Sequence, residues 1–86
     1  MILYSNIKKI IDDWDPVELL ITHAPPDEYD GETKEIFASL HISDSINVHI
    51  VSKIIFDTFS KRFGSDVFTK NLKECEIIAK KIILFS

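Results

Sequence analysis

All three prolines of this 86-residue chain fall between Pro16 and Pro26, and everywhere else the apolar residues recur at intervals of three and four. That combination points to helices joined by one proline-rich elbow. Leu3, Ile7, Ile10, Ile11 and Trp14 form one stripe of a first helix, with Lys8, Lys9 and Asp12 facing out. At Asp15-Pro16 the pattern stops. Proline disfavours α geometry in the residue before it, aspartate suits an N-cap and proline the first helical position. The sequence therefore predicts a short second helix, capped by Asp15 and running to about Ile21. In His23-Ala24-Pro25-Pro26 two successive prolines remove two donors and hold the preceding residues extended, giving a stiff elbow.

Asp27 is then the predicted cap of a third helix, with Glu28 and Asp30 in a first turn that favours negative charge. Its buried stripe is Tyr29, Thr33, Ile36, Phe37 and Leu40. Gly31 within it costs about 1 kcal/mol relative to alanine, which fits a close backbone approach or tolerance near a helix start. Ser43-Asp44-Ser45 offers caps for a fourth helix that reaches about Phe63 and closes at Gly64 in a left-handed C-cap. On that helix Val48, Val51, Ile55 and Phe59 make one apolar face, Ile50 and Ile54 flank it, and His49, Lys53, Asp57 and Ser60 leave only a narrow polar strip. A helix apolar on most sides belongs at the centre. The run INVHIV alternates as a strand would, but no second alternating segment could pair with it, and the spacing beyond it is helical. A fifth helix is expected from near Asp66, burying Phe68, Leu72, Cys75, Ile78, Ala79 and Ile82 and exposing Lys73, Glu74, Lys80 and Lys81. The expected fold is a single all-α domain over residues 1–86, a compact bundle of four to five helices.

A chain this short buries roughly 60 to 65 % of its unfolded surface, enough to fold alone with ~4 to 13 kcal/mol to spare. Its net charge of −4 argues against nucleic acid, because phosphate-backbone affinity needs a basic field. No apolar run approaches the roughly 20 residues of a membrane span, and MILYSNIKKI turns polar too early for a secretory signal. Cys75 is the single cysteine, so no intramolecular disulfide forms, and the chain is expected to be cytoplasmic. On its apolar stripe Cys75 reads as a small buried hydrophobe rather than a reactive thiol.

Four blocks together carry a resemblance: Trp14-Asp15-Pro16, Tyr29-x-x-Glu32, Phe63-Gly64 and Cys75-x-x-Ile78-Ala79-Lys80-Lys81-Ile82. This pattern resembles the YugE-like family of small Firmicute proteins of unknown function, which implies a compact helical fold and no assigned activity. Asp15-Pro16 through Pro26-Asp27-Glu28-Tyr29-x-x-Glu32 is also similar to a signature of small bacterial proteins encoded beside polymorphic toxins, some of them immunity proteins. Here Val17-Glu18-Leu19 and His23-Ala24 depart from that signature.

The elbow carries the candidate site. Asp15, Asp27 and Glu28 are explained structurally as caps and dipole partners, together with Pro16, Pro25, Pro26 and Tyr29 as the elbow itself. Glu32 lies at the edge of the buried face, where a carboxylate needs a partner such as a backbone donor of the elbow, or where the Tyr29 hydroxyl fills that role. The functional alternative is that Asp15, Glu28 and Glu32 project one acidic patch that steers a partner with a basic surface. Histidines 23, 41 and 49 have no metal-ligand spacing, and no nucleophile, phosphate loop or cofactor motif is present. The function expected is therefore non-enzymatic protein binding, of immunity or adaptor type. The alternative is a structural or regulatory homo-oligomer, a homodimer in its simplest form, that uses Ile50 and Ile54 on the central helix. A carboxylate enzyme or cation-binding protein ranks third.

Overall fold

The computed structural model describes residues 2–22, 25 and 27–85. Four helices account for its regular structure: α1 Tyr4–Trp14, α2 Asp30–Ile42, α3 Val48–Phe63 and α4 Leu72–Leu84. Among the described residues there is no strand, so the alternation in INVHIV yields to the helical spacing that continues through Phe59.

Side-chain contacts give the topology. Tyr4, at the start of α1, meets Phe37 late in α2, and Asn6 bonds the carbonyl of Phe85 just past α4. Trp14, at the end of α1, meets Phe59 late in α3 and Phe68 just before α4. Successive helices therefore alternate in direction. Each packs on its neighbours in the chain and α4 closes the ring against α1. The radius of gyration of 11.9 Å equals the value of about 12 Å expected for a compact chain of this length.

The predicted stripes supply the core, except that Leu3 and Leu72, 49 % and 40 % exposed, stay at the surface. Ile7, Ile11, Ile36, Val51, Ile55, Phe59, Cys75 and Ala79 are fully buried, and Tyr29 and Thr33 with them. Phe59 is the hub at the end where α1 finishes and α2 begins. It stacks on Phe68 at 5.4 Å and Phe63 at 6.0 Å, and Trp14 and Tyr29 meet it edge-on at 5.7 and 6.0 Å. Offset and edge-on pairs of this kind are worth about 0.5 to 1.5 kcal/mol each beyond their burial. Phe56 also turns inward, with its ring 6.0 Å from Phe68.

Four expectations are corrected. The predicted helix from Asp15 to Ile21 is a series of turns, because Asp15 (φ 47°) and Glu18 (φ 59°) both adopt positive φ, which a right-handed helix excludes. Residues 65–67 likewise form a turn, with the Val67 and Phe68 N–H groups on the Gly64 carbonyl, and α4 starts at Leu72 rather than near Asp66. Burying Phe68 in the aromatic cluster takes the chain off a helical path there. The cap of α3 is Asn47, not a residue of Ser43-Asp44-Ser45, and Asn71 caps α4. Each accepts at 2.9 Å from the N–H three residues on. Gly64 does take a positive φ of 78°, but its ψ of 162° leads the chain straight out instead of curling it in a left-handed cap. Of the two readings of Gly31, tolerance near a helix start is the one that holds: it is the second residue of α2, and among the described residues the atoms nearest to where a Cβ would lie, at 3.4 Å, belong to the Arg62 side chain.

Candidate functional site

The turn that follows α1 is organised around Asp15 and Tyr29. Asp15 closes α1 in the left-handed region, its N–H on the Ile11 carbonyl at 2.9 Å. An N-cap carboxylate would reach the N–H two or three residues on. Asp15 instead folds the whole turn back, Oδ1 accepting from Leu20 N–H at 3.0 Å and Oδ2 from Ile21 N–H at 2.9 Å. Its closest partner is the Tyr29 hydroxyl, which donates to Oδ1 at 2.6 Å. The same hydroxyl oxygen accepts the N–H groups of Val17 and Leu19, each at 3.3 Å. One buried phenol thus ties the turn, the end of α1 and the start of α2 together.

The electrostatics follow from this network. Burial works against the Asp15 charge, but hydrogen bonds from Tyr29, Leu20, Ile21 and Leu19 outweigh it and hold the carboxyl below its ordinary range. Tyr29 is pushed up to about 12, first by burial and then by its bond to Asp15. Positive φ at two non-glycine residues costs roughly 1 to 2 kcal/mol each, and these hydrogen bonds are what hold the turn there.

The start of α2 is pinned at three further points. Asp30 receives Lys8 of α1 at 2.7 Å, and Lys8 also reaches Asp12 at 2.9 Å. Hydrogen bonding to Asp30, then to Asp12, raises the Lys8 pKa well above that of a free lysine. Glu32 is 6 % exposed and faces Arg62 of α3 at 3.6 Å, while Arg62 gives its shorter bonds, 2.9 and 3.0 Å, to Glu35. Burial raises the Glu32 pKa, Arg62 pulls it back, and Glu28 and Glu35 add to the rise.

The predicted site residues therefore separate. Asp15 and Glu32 are internal, and Glu28 is exposed together with Glu18 and Asp27. Asp27 does not cap α2: Tyr29 occupies that position without a side-chain bond, and the Asp27 carbonyl accepts from Asp30 N–H at 3.0 Å. Glu28 precedes the helix, whose first turn holds Asp30 and Glu32. The partner of Glu32 is neither the elbow nor Tyr29 but Arg62, the one arginine of the chain. Its uniqueness was a signal, since a guanidinium fork suits two carboxylates where lysine does not. Pro16 is buried under the turn and Pro25 is exposed; His23, Ala24 and Pro26 lie outside the described residues, and the Pro-Pro elbow with them. Ile50 and Ile54 are half-buried, and Ile54 packs on the core.

Elsewhere, among the described residues, no three His, Cys, Asp or Glu side chains converge as metal ligands, and no helix is long and apolar enough to cross a membrane. No family model, curated protein or solved structure matches the chain.

Proposed function

We propose that this is a non-enzymatic protein-binding module, of immunity or adaptor type, that presents an acidic edge to a basic face of its partner. The observation that carries the reading is the Asp15–Tyr29 node. A buried phenol and a hydrogen-bonded carboxylate hold a turn with two positive-φ residues in one shape, and the acids displayed around it are Glu18, Asp27 and Glu28. Asp15 then positions the edge rather than touching the partner, and Glu32 fixes α2 on α3. Of Asp15, Glu28 and Glu32, only Glu28 is exposed and serves as a contact residue. A preformed edge loses little entropy on binding, and its charge acts on association rate and specificity.

The alternative, a homo-oligomer through Ile50 and Ile54, has less to stand on, since both side chains are already half-buried within one chain. Capture from native lysate tests the preferred reading, with the wild-type chain compared with a Glu18→Lys, Glu28→Lys double variant at low and high salt. The wild type should retain a basic protein that the variant loses, and salt should weaken the capture. Equal retention by both forms refutes the reading, and so does failure of either form to retain any protein. A toxin gene immediately beside this one would select the immunity form over the adaptor form.

A further inference from the structure

α4 buries Cys75, Ile78, Ala79 and Ile82, and a helical period of 3.6 residues puts Lys73, Ile77, Lys80 and Leu84 on the opposite line. These four positions are separated by four, three and four residues, a stripe about 16 Å long. Cations and apolar side chains alternate along it. Ile77 is 54 % exposed, Leu84 80 %, and Phe85 continues the apolar surface past the helix end at 65 %. The solvent line of a bundle helix is ordinarily polar throughout.

Beside the stripe, Lys81 and Phe85 of the α4 end and Lys9 and Ile10 of α1 line a groove of about 410 Å³. Asn6, whose Nδ2 donates to the Phe85 carbonyl at 3.0 Å, holds its end in place, and Asp13 is the acid in its lining. Among the described residues, the ion pairs use Lys8, Lys53, Lys61 and Arg62, and none uses Lys9, Lys73, Lys80 or Lys81. Glu74 and Glu76 are half-buried on the two flanks of the stripe. Four cations without an ion pair thus surround exposed apolar side chains on one face of a protein whose net charge is −4.

We propose that this face of α4 docks an acidic amphipathic helix of a partner protein. Charge complementarity sets the sign of the partner: its carboxylates lie against Lys73, Lys80, Lys81 and Lys9. Ile77 and Leu84, seven residues apart, repeat every two turns, which is the period of a helix laid nearly parallel to α4. An anionic membrane fits less well. The net negative charge opposes it, and the apolar core face of α4, which a membrane would need, is packed inside the bundle. This face is basic where the 15–28 turn is acidic, so the molecule carries two docking surfaces of opposite sign, as an adaptor between unlike partners requires.

The test is amide-shift mapping on the full isotope-labelled chain. The probe is a synthetic glutamate-rich amphipathic peptide of about four turns with leucines on one face. A lysine-for-glutamate version of the peptide and anionic phosphatidylglycerol vesicles are the controls. The acidic peptide should bind saturably, with shifts confined to α4 and to the part of α1 around Lys9 and Ile10, and should weaken about tenfold on raising salt from about 0.05 to about 0.5 M. Lys80→Glu should weaken it at least as much with the helical spectrum unchanged, and Leu84→Ser serves as a second variant that leaves charge untouched. Absence of saturable binding, shifts mapping away from α4, or equal binding of both peptides would overturn the proposal. Vesicle binding without peptide binding would assign the face to lipid instead. Concentration-dependent sedimentation abolished by Lys80→Glu would assign it to a second copy of this chain.

Discussion

Removing one oxygen atom should disconnect the turn that follows α1. Tyr29→Phe keeps the ring in its pocket against Phe59 and Phe63 and deletes the hydroxyl that joins Asp15, Val17 and Leu19. A hydrogen bond to a charged group contributes about 1.5 to 3 kcal/mol. The Val17 and Leu19 N–H bonds are longer, at 3.3 Å, and only partly buried, so water replaces them at small cost. The expected loss is therefore about 2 to 3 kcal/mol, out of a total of ~4 to 13 kcal/mol. At about 4 to 8 °C per kcal/mol, the melting temperature should fall by roughly 8 to 24 °C. Urea unfolding at pH 7 measures the difference, with an unchanged m-value as the sign that the fold is intact. The pH dependence identifies the partner. Asp15 is held below its ordinary pKa in the folded state, so its contribution is present above the unfolded value near 3.9 and is lost as pH falls through the folded one. The gap between wild type and variant should narrow over that acid window. Tyr29, raised to about 12, adds stability that is complete below about 10 and is lost as pH rises through the folded value. A loss below about 0.5 kcal/mol, or a gap that does not change with acid, refutes the role given to the node.

Glu32→Gln should be as stable as wild type at pH 7 or more so, within about 1 kcal/mol, because burial opposes the Glu32 charge and Arg62 keeps Glu35. With its folded pKa raised, Glu32 favours the fold fully below the unfolded value and less as pH rises through the folded one. Urea titrations of the variant should lack that decline, and a loss well beyond 1 kcal/mol would show that the Arg62 pair is net stabilising. Cys75, pushed up to about 12 by burial and then by Glu74, should label slowly with a thiol reagent in the folded protein and quickly in urea. Ile54→Glu should cost about 1 to 3 kcal/mol in denaturant unfolding, since it places a charge against the core; a sedimentation shift with stability unchanged would restore the oligomer reading.

Periodicity made the helices legible wherever one face was consistently apolar. Ile7, Ile11, Ile36, Val51, Ile55, Phe59, Ala79 and Ile82 were all placed inward by spacing alone, and all are buried. It failed where the chain follows a tertiary demand instead of a local one. Asp15-Pro16 has the composition of a helix start, yet Tyr29, fourteen residues on, turns the Asp15 carboxylate to another use. The helix expected from Asp66 gives way because Phe68 must reach Phe59. Asn47 and Asn71, by contrast, are legible as caps from residue type, although the serines and aspartates nearby offer the same capping chemistry.

The acids show why sequence alone could not sort scaffold from surface. Asp15, Glu28 and Glu32 share one charge and one short segment, but they differ in what the rest of the chain offers them. A phenol from the start of α2 reaches Asp15, a guanidinium from the end of α3 reaches Glu32, and no short ion pair or side-chain hydrogen bond involves Glu28 among the described residues. Both internal partners lie at the end of the bundle where the aromatic cluster joins α1 and α3 to the residues that lead into α2 and α4, so the packing of Phe59 decides which acids are drawn in. Shifting that cluster should therefore disturb the acidic edge without touching any of its carboxylates. Phe63, whose ring lies against both Tyr29 and Phe59, is the position through which core packing and edge geometry are most directly coupled.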